Sequence, residues 1–358
     1  MVTLRNAPVT YTRNNYQDLI HRFDYETVGL HELQPIVGEN TIDEVRIGND
    51  AYFTTRRFMR SLMSLFGFSE NLFQYFSPEE LIGRILARRK DTEIRICIDR
   101  NNKSLNGIIR PEKAGLPLAE VCRVLVDDRR FDKMEYFPDS ASIEAQLKLP
   151  NTWAIRSDSD YGTFLNIRYP VDDVSVPTIS LGIVRQICAN GLVARRKCFE
   201  SDLIVEKNHG THLRQLLESF NNRNGFDELR DRLQAAQDTS ASVNEYLAAV
   251  NTVRKNLAAP EGVVSRMNSI AGMPEEVYGQ TRLDNIRSRY RRELPVAASI
   301  MDLINILTEL ATHHEVKDRD SIYTFITNML ASEFDLEEIV PNRKSAQTYY
   351  LTGVQNGY

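Results

Sequence analysis

Hydrophobic positions along this chain recur with two different periods, and the switch between them divides it. Between residues 53 and 66, Phe58, Leu62, Leu65 and Phe66 fall at helical spacing, with Gly67 where a C-terminal cap glycine belongs. Ser77-Pro78-Glu79-Glu80 then supplies an N-cap, a first-turn proline and two acids. It predicts a helix through Leu81, Ile82, Ile85 and Leu86 that ends on the basic run Arg88-Arg89-Lys90. A short helix around Tyr16–Phe23 precedes both, so residues 1–90 read as a helical N-terminal region. From about residue 92 the period becomes two, and Ile94, Ile96 and Ile98 share one face of a predicted strand over Glu93–Asp99. Asn106-Gly107 reads as a turn. Arg123–Asp127, Trp153–Ser157 and Thr163–Tyr169 read as further strands, with a short helix over Ser140–Leu147.

The stretch from Pro177 to Leu213 joins the two regimes. Ile179, Ile183, Val184, Ile187 and Cys188 lie at helical spacings, and Asn190-Gly191 would cap such a helix. Ile179, Leu181 and Ile183 also alternate as a strand would, and Gly182 weakens a helix by about 1 kcal/mol relative to alanine. Because the alternation stops after Ile183, helix is the preferred reading. Asp202–Lys207 reads as a strand. After His209 the pattern is helical, over 212–222, 226–257, 274–291, 296–313 and 320–333, punctuated by Pro260, Pro274 and Pro295. Residues 296–311 are apolar nearly all round, which predicts the central helix of a bundle.

The expected class is α+β: a mainly antiparallel sheet with packed helices in the first half, followed by an all-helical C-terminal bundle. The expected division is a sheet-containing core over 91–210, a helical domain over 211–340 and a polar tail over 341–358, beyond the helical region 1–90.

A length of 358 residues also favours more than one domain. The net charge of -5 gives no global attraction to nucleic acid. Residues 1–200 balance 27 Lys and Arg against 27 Asp and Glu, whereas residues 201–358 hold 17 against 22. A polyanion-binding surface is therefore a local patch, best placed in the first half. Cys97, Cys122, Cys188 and Cys198 form no Cys-x-x-Cys pair and read as reduced, buried thiols. The N-terminus lacks a signal-like apolar core and no stretch approaches the length of a membrane span, so the expectation is a soluble cytoplasmic protein.

Phosphate-cradling glycine motifs and nucleophile elbows do not occur, which argues against the common nucleotide-dependent and hydrolase classes. His209 and His212 are three apart with Cys188 and Cys198 nearby, but this matches no established metal spacing, and neither metal nor cofactor is expected. The remaining chemistry is basic. Clusters occur at Arg56/Arg57/Arg60, Arg84/Arg88/Arg89/Lys90, Arg195/Arg196/Lys197 and Arg282 to Arg292, some with aromatic neighbours. A solvated face or a helix dipole explains most such clusters. Arg195, Arg196 and Lys197 follow a predicted turn and are the preferred phosphate contacts, with Arg56, Arg57 and Arg60 as a second patch.

Arg185-x-x-Cys188-x-Asn190-Gly191-Leu192 is followed about twenty residues later by His209 and Thr211, and further on by Asn305-x-x-Thr308-Glu309 with His313 or His314. This series resembles family 932 of the domains of unknown function, whose members are often labelled phage/plasmid-like proteins. Gly210, between His209 and Thr211, departs from the pattern. The resemblance implies a mobile-element origin and a host-cell cytoplasmic location, and brings no reaction with it. Each motif residue also has an ordinary packing explanation: a left-handed cap, a small core thiol, a partner for carbonyls. The leading expectation is a non-enzymatic, oligomeric DNA-binding phage protein, of the recombination or single-strand-annealing accessory type. Its partner would be single- or double-stranded DNA. The alternative is a protein-interaction or assembly module, such as an inhibitor of a host system or a virion-associated component.

Overall fold

The structure, a computed structural model, describes residues 8–37, 42–68, 75–89, 91–154, 160–185, 191–193, 200–202, 210–219, 223–286, 288–291 and 293–330. They form an α+β protein with antiparallel sheets in the first half and helices toward the C-terminus. The chain divides into two compact units that interleave in sequence. The first comprises Met1–Leu147, Asn166–Ile179 and Asp202–Asn221; the second comprises Lys148–Leu165, Ser180–Ser201 and Asn222–Tyr358.

The first unit opens with β1 (Val9–Tyr11), α1 (Tyr16–Arg22), β2 (Phe23–Gly29), β3 (Leu33–Val37), β4 (Ile42–Ile47) and β5 (Asp50–Thr54). Then come α2 (Arg56–Leu65), α3 (Pro78–Arg89), β6 (Glu93–Asp99), β7 (Ser104–Ile109), α4 (Leu118–Asp127) and β8 (Phe131–Phe137). A six-stranded sheet runs β2-β6-β7-β5-β4-β3, antiparallel except where β5 meets β7 with Thr54 opposite Leu105. Its helix-covered face is a continuous apolar layer. Phe58 and Leu62 of α2 and Ile82 and Ile85 of α3 share one cluster with Ile94, Ile96, Ile98, Leu105 and Ile108. Full burial of each such side chain stabilises the fold by about 1.5–3 kcal/mol.

The ends of these two helices follow the sequence signals. Phe58 N–H bonds the Thr55 hydroxyl at 3.1 Å, and Glu80 N–H bonds the Ser77 hydroxyl at 3.1 Å. At the close of α2, Gly67 takes φ +72°, Phe68 N–H reaches Met63 O at 2.8 Å and Gly67 N–H reaches Ser64 O at 3.1 Å. That pair of bonds is the left-handed glycine cap the sequence predicts.

β9 (Ser142–Ala154), β10 (Asp160–Pro170) and β11 (Thr178–Arg185) each run from one unit into the other. With β12 (Gly191–Val193) and β13 (Glu200–Asp202) they belong to a sheet ordered β1-β8-β9-β10-β11-β12, in which β13 pairs with β11. In the first unit β8 pairs antiparallel with β9, Tyr136 opposite Ile143; in the second, β11 pairs antiparallel with β12, Ile183 opposite Leu192. α5 (Gly210–Ser219) packs on α4.

The second unit's helices are α6 (Arg223–Asp238), α7 (Val243–Asn256), α8 (Glu261–Ala271), α9 (Pro274–Tyr278), α10 (Gln280–Asn285), α11 (Ser288–Arg291), α12 (Ile300–His313) and α13 (Arg319–Leu330). Strands β14 (Ser240–Ser242) and β15 (Pro295–Ser299) pair with each other and lead into α7 and α12. Each of these two helices starts on a capping box. Ser242 exchanges bonds with Glu245, and Ser299 with Asp302, so each strand ends where a serine begins a helix. α12 touches α6, α7, α8 and α13 and buries Leu303, Ile304, Ile306, Leu307 and Leu310, the central position its sequence predicts.

Several local expectations are overturned. Residues 1–90, read as helical, carry five strands; β2 and β5 do not bury alternate residues, so burial imposes no period of two on them. Asn106-Gly107 is not a turn but lies inside β7. Arg123–Asp127 is helical: within α4, Leu118, Val121, Cys122 and Leu125 are buried at helical spacing, and tertiary burial overrides the β-branched run. Ser140–Leu147 instead enters β9, with Ile143, Ala145 and Leu147 buried in strict alternation. The preferred helix over Ile179–Cys188 is a strand as far as Arg185, and residues 186–190 lie outside the described ones. Gly182 explains that outcome, since a Cβ there would stand 2.3 Å from the Phe164 ring. The helix 226–257 is broken at Ser240–Ser242, and 296–299 is strand. The polar tail and the Asp202–Lys207 strand beyond Asp202 fall outside the described residues.

Candidate nucleic-acid interface

The first predicted patch lies at the start of α2, and its three arginines do not act together. Thr55 fixes the start of the helix by donating its hydroxyl to Leu105 O at 2.7 Å while capping Phe58. Arg56 and Arg60 are exposed. Arg57 instead turns toward the fully buried Asp172, which it grips with Nε and with Nη2 at 3.0 Å, and it reaches the Ser175 hydroxyl at 2.9 Å. Gly107 permits this arrangement: a Cβ there would lie 2.6 Å from the Asp172 Cβ. Arg57 is thus held as a partner of a buried carboxylate, and what the patch offers to solvent is Arg56 and Arg60.

Asp172 belongs to a buried polar network on the face of the six-stranded sheet away from α2 and α3. Arg22 grips Asp99 through Nε at 3.1 Å and Nη2 at 2.7 Å, and its guanidinium lies 4.5 Å over the Tyr136 ring. Burial opposes the Arg22 charge, and the Asp99 carboxylate outweighs it, so the guanidinium pKa is raised. Arg95 stands 3.7 Å from Asp173 and 4.6 Å over the Tyr25 ring, while Tyr25 donates to Val171 O at 2.6 Å and Tyr169 to Leu116 O at 2.5 Å. Desolvation pushes the Asp173 carboxyl up to about 6, with Arg95 opposing, and raises Asp172 against the pull of Arg57. Asp173 also holds a left-handed backbone, φ +56°. Cys97, between these acids, is buried and its thiol is driven well above the ordinary range by desolvation, while Cys122 is pushed up to about 12. These groups satisfy one another inside the fold, and the thiols read as reduced and buried, as expected for these two of the four.

Exposed cations without a carboxylate partner lie on α3. Arg84, Arg88 and Arg89 are all exposed, and among the described residues none has an ion pair. The helix dipole accounts for Arg88 and Arg89 in the last turn. It does not account for Arg84, which sits in mid-helix with its guanidinium 5.1 Å over the Phe76 ring. Next to Phe76 in sequence, Tyr75 is 76% exposed, the most exposed large apolar or aromatic side chain among the described residues. Leu81, Ile82 and Ile85 anchor the other side of α3 in the core, so this platform is carried on a packed helix. The sequence contains Tyr75-Phe76 and the arginines, but the seven residues between Phe76 and Arg84 and a dipole explanation hide their meeting.

A second group of arginines lines a cleft of about 500 Å³ between α4 and α5. Arg129, Arg130 and Arg214 are matched there by Asp127, Asp128 and Glu218. Arg130 holds Asp128 at 2.7 Å and Leu217 O at 3.0 Å; burial pushes the Asp128 carboxyl up, and the Arg130 hydrogen bonds outweigh it and lower its pKa. Balanced charge makes this cleft a poorer polyanion surface than α3.

The other predicted residues are dispersed. Arg195, Arg196 and Lys197 lie outside the described residues, as do Cys188, Asn190 and His209. Arg185 ends β11, Gly191 and Leu192 open β12 with Leu192 buried, and Thr211 is exposed on α5 in the first unit. On α12, Thr308 donates back to Ile304 O at 2.9 Å, Asn305 is half-buried, and Glu309 grips Arg266 of α8 at 2.7 and 2.8 Å. Leu192 and Thr308 thus have packing roles and Glu309 an ion-pair role. Among the described residues no group of three His, Cys, Asp or Glu side chains is placed to hold a metal, and no helix is long and apolar enough to cross a membrane. Comparison with known protein families, with curated proteins and with solved structures gives no match.

Proposed function

We propose that this chain is a nucleic-acid-associated protein without a catalytic centre of its own, of the recombination or annealing accessory type that a phage or plasmid encodes. The observation that carries the reading is the α3 platform, in a chain of net charge -5: Arg84, Arg88 and Arg89 are exposed and have no ion pair among the described residues, Arg84 lies over the Phe76 ring, and Tyr75 is exposed next to it in sequence. Phosphate contact requires guanidinium groups that solvent reaches and that no carboxylate already neutralises. Arg56 and Arg60 of the α2 patch are exposed as additional contacts. The test is anisotropy of a labelled oligonucleotide against the full chain across salt. Binding that weakens roughly tenfold or more between 50 and 200 mM salt fits three neutralised phosphates. No binding to any strand at low salt overturns the reading.

A second reading, a protein-interaction module, has its own observation in the second unit. Ile270, Met273 and Val277, on and between α8 and α9, are exposed close together in sequence, with Val277 64% exposed. Its measurement is oligomeric state by light scattering: a stable oligomer that Val277→Asp dissociates supports it, and a monomer removes self-association from this surface.

A further inference from the structure

Resting on the nucleic-acid reading, we infer that the α3 platform takes single-stranded rather than duplex nucleic acid, with Tyr75 as a base-stacking residue. The grounds are geometric. Tyr75 is 76% exposed, with the adjacent Phe76 ring covered by the Arg84 guanidinium at 5.1 Å. A guanidinium laid on one ring, next to a second ring left open to solvent, presents a π surface and a charge side by side. The pair does not serve a duplex well. Duplex bases are stacked on each other and offer a ring only their edges, so against a duplex Tyr75 would be idle and only the arginines would contribute. A single strand can turn a base outward onto the Tyr75 ring while its phosphates meet Arg84 and Arg88, which stand four residues apart on the same flank of α3.

The packing of α3 supports the division of labour. Leu81, Ile82 and Ile85 fix the helix in the core of the first unit, so the arginines are presented from a rigid element. Tyr75 lies before the helix, outside that core, and nothing in the described fold depends on its ring. Glu80, one turn before Arg84, makes no ion pair among the described residues and leaves the guanidinium to Phe76.

The experiment uses the full-length chain with a labelled oligothymidine of about 15 nucleotides, within the span one such site occupies, and a duplex of the same length, each titrated from low to moderate salt. The variants are Tyr75→Ala, Tyr75→Phe and the double variant Arg84→Gln/Arg88→Gln, with circular dichroism confirming that each keeps the fold. The expected result is that the single strand binds more tightly than the duplex. Tyr75→Ala should lose about fivefold or more on the single strand, with an unchanged salt slope and unchanged duplex binding, and Tyr75→Phe should retain affinity. The arginine variant should weaken both ligands and flatten the single-strand slope by about 1.4, two phosphates' worth. Duplex binding as tight as single-strand binding, or a Tyr75→Ala variant that binds like the wild type, overturns the single-strand inference while leaving the nucleic-acid reading standing. An arginine variant with unaltered binding likewise overturns the inference by removing α3 as the site, and binding to neither ligand overturns both.

Discussion

Arg57 shows how a residue's meaning changes with its surroundings. In the sequence it is one of three arginines in a basic patch; in the fold it neutralises Asp172, whose side chain is fully buried. Removing one partner of such a pair leaves a buried charge, so Arg57→Ala should destabilise the protein by about 3 kcal/mol in urea denaturation. Arg57→Ala with Asp172→Asn should recover a large part of that loss, and equal stabilities for single and double variants would show that the pair is not coupled. Asp173 makes a prediction in pH. Its folded-state pKa of about 6 lies above the unfolded value near 3.9, so the folded state binds the extra proton between them. Stability from this group is therefore fully present below about pH 4 and lost as pH rises through about 6, by at most about 3 kcal/mol. Asp173→Asn should melt higher than the wild type at about pH 7.5 and alike at about pH 4. Asparagine also tolerates the left-handed backbone found there. A wild-type protein whose melting temperature does not fall relative to the variant across that window would contradict this assignment.

At the scale of elements, the signals that proved readable are those written in a few adjacent residues. The caps of α2 and α3 and the alternation of β6 are local, and the structure has them as the sequence predicts. What was not legible depends on distant partners. Gly182 lowers helix propensity modestly by itself, and its decisive role, giving room to the Phe164 ring, appears only when β10 and β11 are placed side by side. Gly182→Ala should accordingly cost about 1–3 kcal/mol, far beyond a propensity effect, and Phe164→Leu should relieve part of it. Additive losses in the two variants would disprove the contact's role. The same logic separates Glu309 from any special motif function. Its pairing with Arg266 is half exposed, so Glu309→Gln should change stability by about 1 kcal/mol or less.

For the whole molecule, the sequence conveyed the class, a sheet-bearing first half and a helical second half, and it conveyed charge balance, which confines polyanion binding to a patch. It did not convey which arginines are left without a carboxylate. That depends on which acids the fold buries, and Asp99, Asp172 and Asp173 are brought to the sheet from strand ends and the turn that follows β10. What marks the α3 platform among the exposed arginines is its rings, Phe76 under the Arg84 guanidinium and Tyr75 open to solvent. The most direct test of its role is the affinity of the full chain for a labelled oligothymidine as a function of salt, for the wild type and for Arg84→Gln/Arg88→Gln. Wild-type binding should show a log–log slope near about -2 and the variant a slope near about -0.7. Identical slopes, or no wild-type binding at low salt, would contradict that role.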